Sequence, residues 1–216
     1  MRTMAESDFA NDQTETISKP LQDRLQSTSV FKRHMIFLWK FLKHTTRVGC
    51  FTPSSRQMAR EACRYVDSNN PQIILELGAG TGAVTREIIR QKHPQSRLIA
   101  VELDPDFAKL LRESTRAEDV EILVADVKDL PAMLEKMGIT KFDLIISCLP
   151  TPSLPKSTVA TVHQLARSHG ATGWFSQVTF FPFAFYRKFY ERMFGHVEYR
   201  VVTANVPPGG AYHCRV

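Results

Sequence analysis

Apolar and polar positions follow a repeating pattern from Ile73 onward. Short apolar runs alternate with longer stretches in which apolar residues recur every three or four positions. This alternation predicts an α/β fold, in which a parallel sheet carries helices on both faces. The runs predict strands near 73–77, 97–102, 120–124, 142–147 and 173–179, and the longer stretches predict helices near 82–91, 105–115, 156–168 and, more weakly, 129–137.

The region before Ile73 divides into two parts. Residues 1–27 are polar and lack periodicity, which predicts a disordered lead-in. Residues 28–70 are predicted to form basic amphipathic helices, one over Val30–His44 and one from the turn at 52–55 to about Asp67. The main domain is therefore expected to span residues 71–216.

The region after the fifth predicted strand closes that domain. Phe183–Phe194 predicts a further helix. Val197–Thr203 and Tyr212–Val216 predict an antiparallel hairpin, because the segment Pro207-Pro208-Gly209-Gly210 between them is typical of a turn.

A glycine-rich loop follows the first predicted strand, where Glu76 to Gly82 reads E-L-G-A-G-T-G. Glycines let the backbone approach a ligand and adopt dihedral angles that a Cβ disfavours, so the loop predicts a nucleotide cofactor. The spacing of Gly78 and Gly80, with Glu102 about 20 residues further on, also fits a dinucleotide fingerprint. The loop by itself is therefore also compatible with an enzyme that uses a nicotinamide or flavin cofactor.

Three acids favour S-adenosylmethionine over a dinucleotide. Glu76 ends the first strand, where it would repel a pyrophosphate but attract an ammonium or sulfonium group. Glu102 ends the second strand and can accept hydrogen bonds from both ribose hydroxyls, while Asp126 follows the third strand and can meet the adenine amino group. Singly, each has a structural alternative: a strand-end residue for Glu76, a surface acid for Glu102 and a helix cap for Asp126. Together they lie where ligands bind open α/β sheets, which predicts a class I methyltransferase.

The segment after the fourth strand, Ser147 to Pro150, indicates the acceptor. Enzymes that methylate planar nitrogens carry an Asn/Asp-Pro-Pro-Tyr type sequence at this place. This chain has Ser147 where the amide or acid is expected and Thr151 where the aromatic is expected. We therefore expect an acceptor with its own lone pair, such as an aliphatic amine, contacted by Ser147, Leu149 and Pro150.

The chain is basic, with a net charge of +6. Arg24 to Arg60 contains eight Lys and Arg residues and no acid. A basic amphipathic helix with bulky apolar residues suits an anionic membrane surface, so we expect Arg33, Trp39, Lys40 and Lys43 to contact lipid. Two alternatives are a helix that docks on the domain core with its charges in water, and a helix that binds RNA phosphates.

Other sequence features restrict the location and the chemistry of the protein. The four cysteines have no C-x-x-C spacing, so we expect neither a metal site nor disulfides. No signal-peptide-like or membrane-spanning apolar run is found, which predicts a cytoplasmic protein bound peripherally to the inner face of the membrane.

Ten of the 21 aromatic residues fall within Trp174–Phe194, beside the expected acceptor pocket. The sequence identifies no compelling general base; the candidates are Tyr186, Tyr190 and His213.

Together these motifs resemble the bacterial phospholipid N-methyltransferases of the small, rRNA-dimethylase-like type. The resemblance covers about residues 30–216 and rests on the basic N-terminal helix and on these segments: Val48–Arg56, Glu76–Thr85, Val101–Leu111, Ser147-x-Leu149-Pro150 and Asn205–Pro208. It implies a Rossmann-like fold with a seven-stranded, mostly parallel sheet and an antiparallel C-terminal hairpin.

The resemblance also implies an activity, the successive methylation of phosphatidylethanolamine. An RNA acceptor and another amino-lipid, such as an ornithine lipid, stay open as alternatives. One departure from the family is Cys148, where glycine is expected, and a larger side chain there is expected to narrow the acceptor pocket. The residues expected to bind S-adenosylmethionine are Glu76, Gly78, Gly80, Thr81, Gly82, Glu102, Leu103, Asp126 and Val127.

Overall fold

Strands and helices alternate in the computed structural model, which describes residues 53–115, 119–151, 154–169, 173–180, 186–203 and 208–215. Seven described strands form one sheet in the order β3-β2-β1-β4-β5-β7-β6, and β7 is antiparallel to both of its neighbours. The strands are β1 (Ile73–Leu77), β2 (Arg97–Glu102), β3 (Glu121–Val124), β4 (Leu144–Ser147), β5 (Trp174–Phe180), β6 (His196–Val202) and β7 (Gly209–Arg215). The predicted α/β architecture is confirmed.

Six described helices connect or precede these strands. They are α1 (Pro53–Ala62), α2 (Ala83–Gln91), α3 (Pro105–Ser114), α4 (Leu130–Lys136), α5 (Lys156–His169) and α6 (Arg187–Glu191). The start of α3 shows how the sequence sets a boundary. The Asp104 side chain accepts hydrogen bonds from the backbone N–H groups of Asp106 and Phe107, and Pro105 occupies the first turn.

The core consists of apolar side chains on both faces of the sheet, because successive strand residues point to opposite sides. On one face, Leu75, Leu77 and Ile145 pack against side chains from α4, α5 and α6. On the other face, Ile74 and Ile146 pack against side chains from α1 and α2. The sheet is thus covered on both sides, and the carboxyl ends of its parallel strands meet at one edge.

Three elements differ from the sequence prediction by three residues or more at one end. Helix α1 ends at Ala62 instead of near Asp67, and the Asp67 carboxylate instead accepts from the N–H groups of Asn69 and Asn70 in a turn. Helix α6 covers only Arg187–Glu191 of the predicted Phe183–Phe194, and residues 181–185 lie outside the described ranges. A turn at residues 192–193 follows α6 and brings Phe194 onto the core, where its ring stacks on Phe175.

The third difference is at the start of β7. Gly209 and Gly210 belong to the strand, although the sequence assigned them to a turn. A Cβ on Gly210 would lie 2.3 Å from the carbonyl oxygen of Arg200 and 2.5 Å from the hydroxyl of Tyr199. Glycine here lets β6 approach β7 closely, so its role is packing within the sheet.

Candidate active site

The glycine-rich loop leaves β1 at the carboxyl edge of the sheet. Gly78, Gly80 and Gly82 have positive φ angles of 77°, 54° and 83°, which residues with a Cβ rarely adopt. The Val101 carbonyl oxygen in β2 accepts hydrogen bonds from the N–H groups of Gly78 and Ala79, at 2.9 and 3.1 Å. The loop is therefore held by the neighbouring strand, and Gly82 passes directly into α2.

Two of the three glycines also lie close to leucine side chains. A Cβ on Gly78 would lie 2.8 Å from Cδ2 of Leu149, and a Cβ on Gly82 would lie 2.4 Å from Cδ1 of Leu111. A Cβ on Gly80 would meet nothing within 4 Å. Gly80 thus borders open space, where a ligand can lie against the backbone. The contact at Gly78 also joins the loop to the segment after β4.

Glu102, at the end of β2, contacts the same loop. Its carboxylate is nearly buried and accepts two backbone hydrogen bonds: Oε2 from the nitrogen of Gly80 at 2.7 Å, and Oε1 from the nitrogen of Asp104 at 2.9 Å. These bonds fix the acid beside the glycine turn. Each carboxylate oxygen keeps capacity for a further hydrogen bond, such as one from a ribose hydroxyl.

Glu76, at the end of β1, is fully buried. Its Oε2 accepts a hydrogen bond of 2.7 Å from Thr85 Oγ1 in α2, and Oε1 has no hydrogen-bond partner among the described residues. Burial, reinforced by the charge of Glu102 and opposed by the Thr85 hydrogen bond, raises the pKa of Glu76 to about 7. An unsatisfied buried carboxylate of this kind is suited to receive a cationic group.

The remaining predicted cofactor residues line the same edge. Asp126 is half-buried, and its Oδ1 accepts a hydrogen bond of 3.0 Å from the nitrogen of Lys128. Val127 packs in the core, while Thr81 and Leu103 are half-buried in the loops after β1 and β2. The structure thus brings Glu76, Glu102 and Asp126 to the ends of three adjacent strands.

The segment after β4 follows the same edge. Ser147 is completely buried, with a hydroxyl that has no partner in the described structure, and Leu149 and Pro150 are half-buried. Cys148 packs against the core cluster of α1 and α2, whereas Leu149 packs against the cluster on the opposite face. Burial raises the pKa of the Cys148 thiol well above its usual range. The expected narrowing of the acceptor pocket by Cys148 stays a prediction.

Gln177 in β5 is a site residue that the sequence reasoning missed. Its amide nitrogen lies 3.2 Å from the carbonyl oxygen of Ser147, 3.0 Å from that of Leu149 and 2.8 Å from that of Val178. Ser147 and Gln177 are register partners in adjacent strands. The signal in the sequence was the polar pair Ser176-Gln177, inside a strand whose other residues are apolar except for Thr179.

The structure separates the three general-base candidates. Tyr186 is half-buried at the start of α6. Tyr190 is buried against Phe175 and Tyr212, which raises the pKa of its phenol well above the ordinary value. His213 is fully buried on the face of the sheet opposite to Leu149, where it contacts Ser176 and Glu61. The surroundings of Tyr190 and His213 are those of core residues, which leaves Tyr186 as the accessible candidate.

The His213 ring links three elements. Its Nδ1 lies 2.8 Å from Ser176 Oγ in β5, and its Nε2 lies 3.1 Å from Glu61 Oε1 in α1. A carboxylate only accepts, so Nε2 carries the proton and Nδ1 accepts from the serine hydroxyl. Burial lowers the pKa of His213, opposed by the Glu61 carboxylate. This arrangement satisfies a neutral imidazole and fixes α1 to the sheet.

The predicted membrane contacts Arg33, Trp39, Lys40 and Lys43 lie outside the described residues. The same is true of the predicted lead-in at residues 1–27 and of the helix at Val30–His44. These assignments therefore stay predictions. Within the described part of the chain, no helix is long and apolar enough to cross a membrane.

Sequence comparison identifies the relatives of this chain. Residues 74–170 match the family described as a methyltransferase domain. An ornithine lipid N-methyltransferase from Singulisphaera acidiphila is 40% identical over 187 residues, which cover 85% of this chain and 96% of that protein. This chain belongs to the same methyltransferase family. It is an S-adenosylmethionine-dependent N-methyltransferase, as the sequence predicted. The relative's name agrees with the ornithine-lipid alternative and not with phosphatidylethanolamine.

Other similarities have lower sequence identity. An rRNA methyltransferase from Streptomyces thermotolerans is 32% identical over 121 residues, which cover 52% of this chain and 39% of that protein. Among solved structures, magnesium protoporphyrin IX methyltransferase from Synechocystis PCC 6803 superposes with a TM-score of 0.58 at 11% identity, over 82% of this chain and 84% of that one. A TehB-like methyltransferase from Corynebacterium glutamicum gives 0.54 at 15% identity, over 86% and 100%. These neighbours confirm the Rossmann-like methyltransferase fold.

The site fits S-adenosylmethionine on its own geometry. The unpartnered Oε1 of Glu76 is a buried acceptor for a cation. The open space beside Gly80 lets a ligand approach the backbone. Glu76 at the end of β1 would repel a pyrophosphate, so the arrangement favours a phosphate-free, cationic nucleoside.

Proposed function

We propose that this methyltransferase transfers methyl groups from S-adenosylmethionine to the amine of an ornithine-type amino-lipid. The observation that carries the proposal is the 40% identity to an ornithine lipid N-methyltransferase, which extends over 96% of that protein. The similarity to the rRNA methyltransferase covers only 39% of that protein, so it gives less support to an RNA acceptor.

The segment after β4 supports an aliphatic amine. A poorly nucleophilic planar nitrogen needs a polar side chain and a stacking aromatic, and this chain has Ser147 and Thr151 at those places. The carbonyl oxygens of Ser147 and Leu149 lie beside the Gln177 amide, at the end of the strand that neighbours β1. Carbonyl oxygens accept hydrogen bonds from N–H groups, which an amine headgroup offers.

Methyl transfer then requires a neutral amine that is aligned with the donor. S-adenosylmethionine, when bound, supplies an electrophilic methyl group on its sulfonium sulfur. A protonated amine has no lone pair, so the headgroup must lose a proton before the new C–N bond forms. The chain's contribution is to hold the amine in line and to exclude water, effects that together supply several kcal/mol. The headgroup can release this proton to solvent water before it enters the site.

We also propose that the basic stretch from Arg24 to Arg60 binds an anionic membrane surface, with Arg33, Trp39, Lys40 and Lys43 as contacts. The described end of this stretch is consistent with that role. Helix α1 packs Met58 and Ala62 into the core and leaves Arg56 and Arg60 exposed. Basic residues near an anionic surface contribute about 1 kcal/mol each.

The acceptor assignment is tested with purified full-length protein and labelled S-adenosylmethionine. Three acceptors are compared: phosphatidylglycerol vesicles with ornithine lipid, the same vesicles with phosphatidylethanolamine, and ribosomal RNA. We expect label in ornithine lipid, and none with the Gly80→Ala variant as a control for cofactor binding. Label only in phosphatidylethanolamine would show that the lipid headgroup is phosphoethanolamine and not ornithine. Label only in RNA would overturn the proposal of a lipid acceptor.

Membrane binding is tested separately by sedimentation with the same vesicles. Replacing Lys40 and Lys43 by glutamate should reduce the bound fraction at low salt, because each change reverses one charge. Unchanged sedimentation would refute the assignment of this stretch. Replacing the exposed Lys109 and Lys136 in α3 and α4 by glutamate is the matched control, since it changes the net charge equally.

A further inference from the structure

The Gln177 side chain organises the backbone beside the proposed acceptor site. It is fully buried, and its amide nitrogen faces the carbonyl oxygens of Ser147, Leu149 and Val178 within 3.2 Å. Two of these carbonyls belong to the segment after β4. One side chain in β5 thus fixes the path of the segment that leaves the neighbouring strand.

The orientation of this amide follows from its surroundings. An NH₂ group can donate two hydrogen bonds, while the amide oxygen only accepts. The flipped orientation would place the oxygen against three carbonyl oxygens and remove every hydrogen bond of the group. The nitrogen therefore faces the carbonyl oxygens, and Oε1 is left as an acceptor.

With the amide in this orientation, two buried polar groups of Ser147 and Gln177 have no hydrogen-bond partner within the described ranges. Gln177 Oε1 and the Ser147 hydroxyl are buried without hydrogen-bond partners among the described residues. An unsatisfied buried polar group destabilises a folded protein, so such groups require an explanation. We call the two carbonyl oxygens of Ser147 and Leu149, the Ser147 hydroxyl and Gln177 Oε1 the acceptor cluster. A ligand with several N–H groups complements it.

We propose that the acceptor cluster holds the N–H groups of the substrate amine, and that Gln177 is the positioning residue that arranges it. This inference rests on the proposed function and specifies how the amine is held. The cluster lies next to the cofactor loop, because Leu149 packs against Gly78. An amine held there is close to the loop that binds the methyl donor.

The chemistry of successive methylation supplies a specific consequence. A neutral primary amine has two N–H groups, its monomethylated product has one, and its dimethylated product has none. Hydrogen bonds to the cluster therefore contribute most to the first transfer and nothing to the third. Loss of the cluster should slow the three transfers to different extents.

The test measures kcat/KM for ornithine lipid and for its monomethylated and dimethylated forms in phosphatidylglycerol vesicles. The variants are Gln177→Leu and Gln177→Glu, with Gln164→Leu on the exposed side of α5 as the matched control. For both Gln177 variants we expect about a tenfold or greater loss with the primary amine and about a twofold or smaller loss with the dimethylated lipid. The dissociation constant for S-adenosylmethionine should stay within about twofold, because Glu76, Glu102 and the glycine loop keep their own hydrogen bonds.

The outcomes separate this inference from the proposed function. Equal losses with all three lipids, or no loss, would overturn the role of Gln177 while the lipid activity stands. Wild-type protein that methylates none of the three lipids would overturn the proposed function and this inference with it. If Gln177→Leu fails to bind S-adenosylmethionine, Gln177→Glu, which keeps the side-chain size, and Ser147→Ala provide the same comparison.

Discussion

Oε2 of Glu102 accepts a hydrogen bond of 2.7 Å from the backbone nitrogen of Gly80. The acid at the end of β2 is therefore attached to the glycine loop after β1. A residue expected to bind the ribose also holds the loop that approaches the rest of the cofactor. The two parts of the cofactor site are mechanically joined before any ligand arrives.

The first prediction concerns this acid. Glu102→Ala removes the acceptor of the Gly80 and Asp104 N–H groups together with the expected ribose contact. We expect the affinity for S-adenosylmethionine to fall about 10- to 100-fold, measured by titration calorimetry. Glu113→Ala, at an exposed position of α3, is the control and should change the affinity little. Equal affinities of the two variants would refute the role of Glu102.

The second prediction uses two glycines with similar positive φ angles. Gly80 and Gly138 have φ angles of 54° and 68°, and a Cβ at either position meets nothing within 4 Å. Alanine at each should therefore cost a similar amount of stability, about 1–2 kcal/mol. Only Gly80→Ala should abolish cofactor binding, since its Cβ enters the space beside the loop. Calorimetry and thermal unfolding of both variants provide the comparison, and retained binding by Gly80→Ala would show that the cofactor lies elsewhere.

The third prediction follows from the pKa of Glu76, raised to about 7 by burial. Between its unfolded pKa and pH 7 the folded protein holds a proton that the unfolded chain releases, so the Glu76 contribution to stability is present at low pH. It is lost as the pH rises through 7. Relative to Glu76→Gln, the cofactor-free wild type should lose about 2 kcal/mol of unfolding free energy between pH 5.5 and 8. Urea titrations at both pH values measure this difference, and parallel pH dependences would contradict it.

The fourth prediction treats His213 as a structural residue. His213→Leu leaves Ser176 and Glu61 without their shared partner and should lower the unfolding free energy by about 1–3 kcal/mol. The kcat of the folded variant should stay near the wild-type value. A large loss of kcat in a stable, cofactor-binding variant would instead establish His213 as a catalytic residue.

The lowered pKa of His213 also gives a pH dependence. The folded state binds the proton less readily than the unfolded chain does. Stability should therefore fall as the pH drops below the ordinary histidine pKa of about 6.5, and His213→Leu should remove this contribution. Unfolding titrations between pH 7.5 and 5.5 check the sign.

Most strands and the cofactor loop could be predicted because their signals are local. The apolar runs at Ile73–Leu77 and Arg97–Glu102 match β1 and β2, since a buried parallel strand needs apolar residues on both faces. The glycine loop has three φ angles that a Cβ disfavours, and this requirement leaves glycine in the sequence. Burial of Glu76 could not be read from the sequence, because it depends on how α2 packs.

The missed features depend on contacts between distant residues. Gln177 is one of three polar residues in a strand that also carries three aromatic ones, and its importance lies in its register with Ser147, 30 positions earlier. His213 was a candidate for the acceptor pocket, but the pairing of β7 with β5 places it on the other face, beside Ser176. Gly210 reads as a turn residue in isolation, and only the approach of Tyr199 explains it. Propensity and periodicity contain no information on such pairings.

The position of β7 between β5 and β6 has a consequence for how the sheet is completed. Among the described strands, β6 pairs with β7, which follows it in the chain. During synthesis β6 emerges before β7, which joins it to the sheet. The backbone N–H and C=O groups of β6 therefore have no strand partner in the described sheet until β7 has been made. The half of the sheet that carries Gln177 thus becomes fully paired only after Arg215 has been added, whereas the cofactor half can pair earlier.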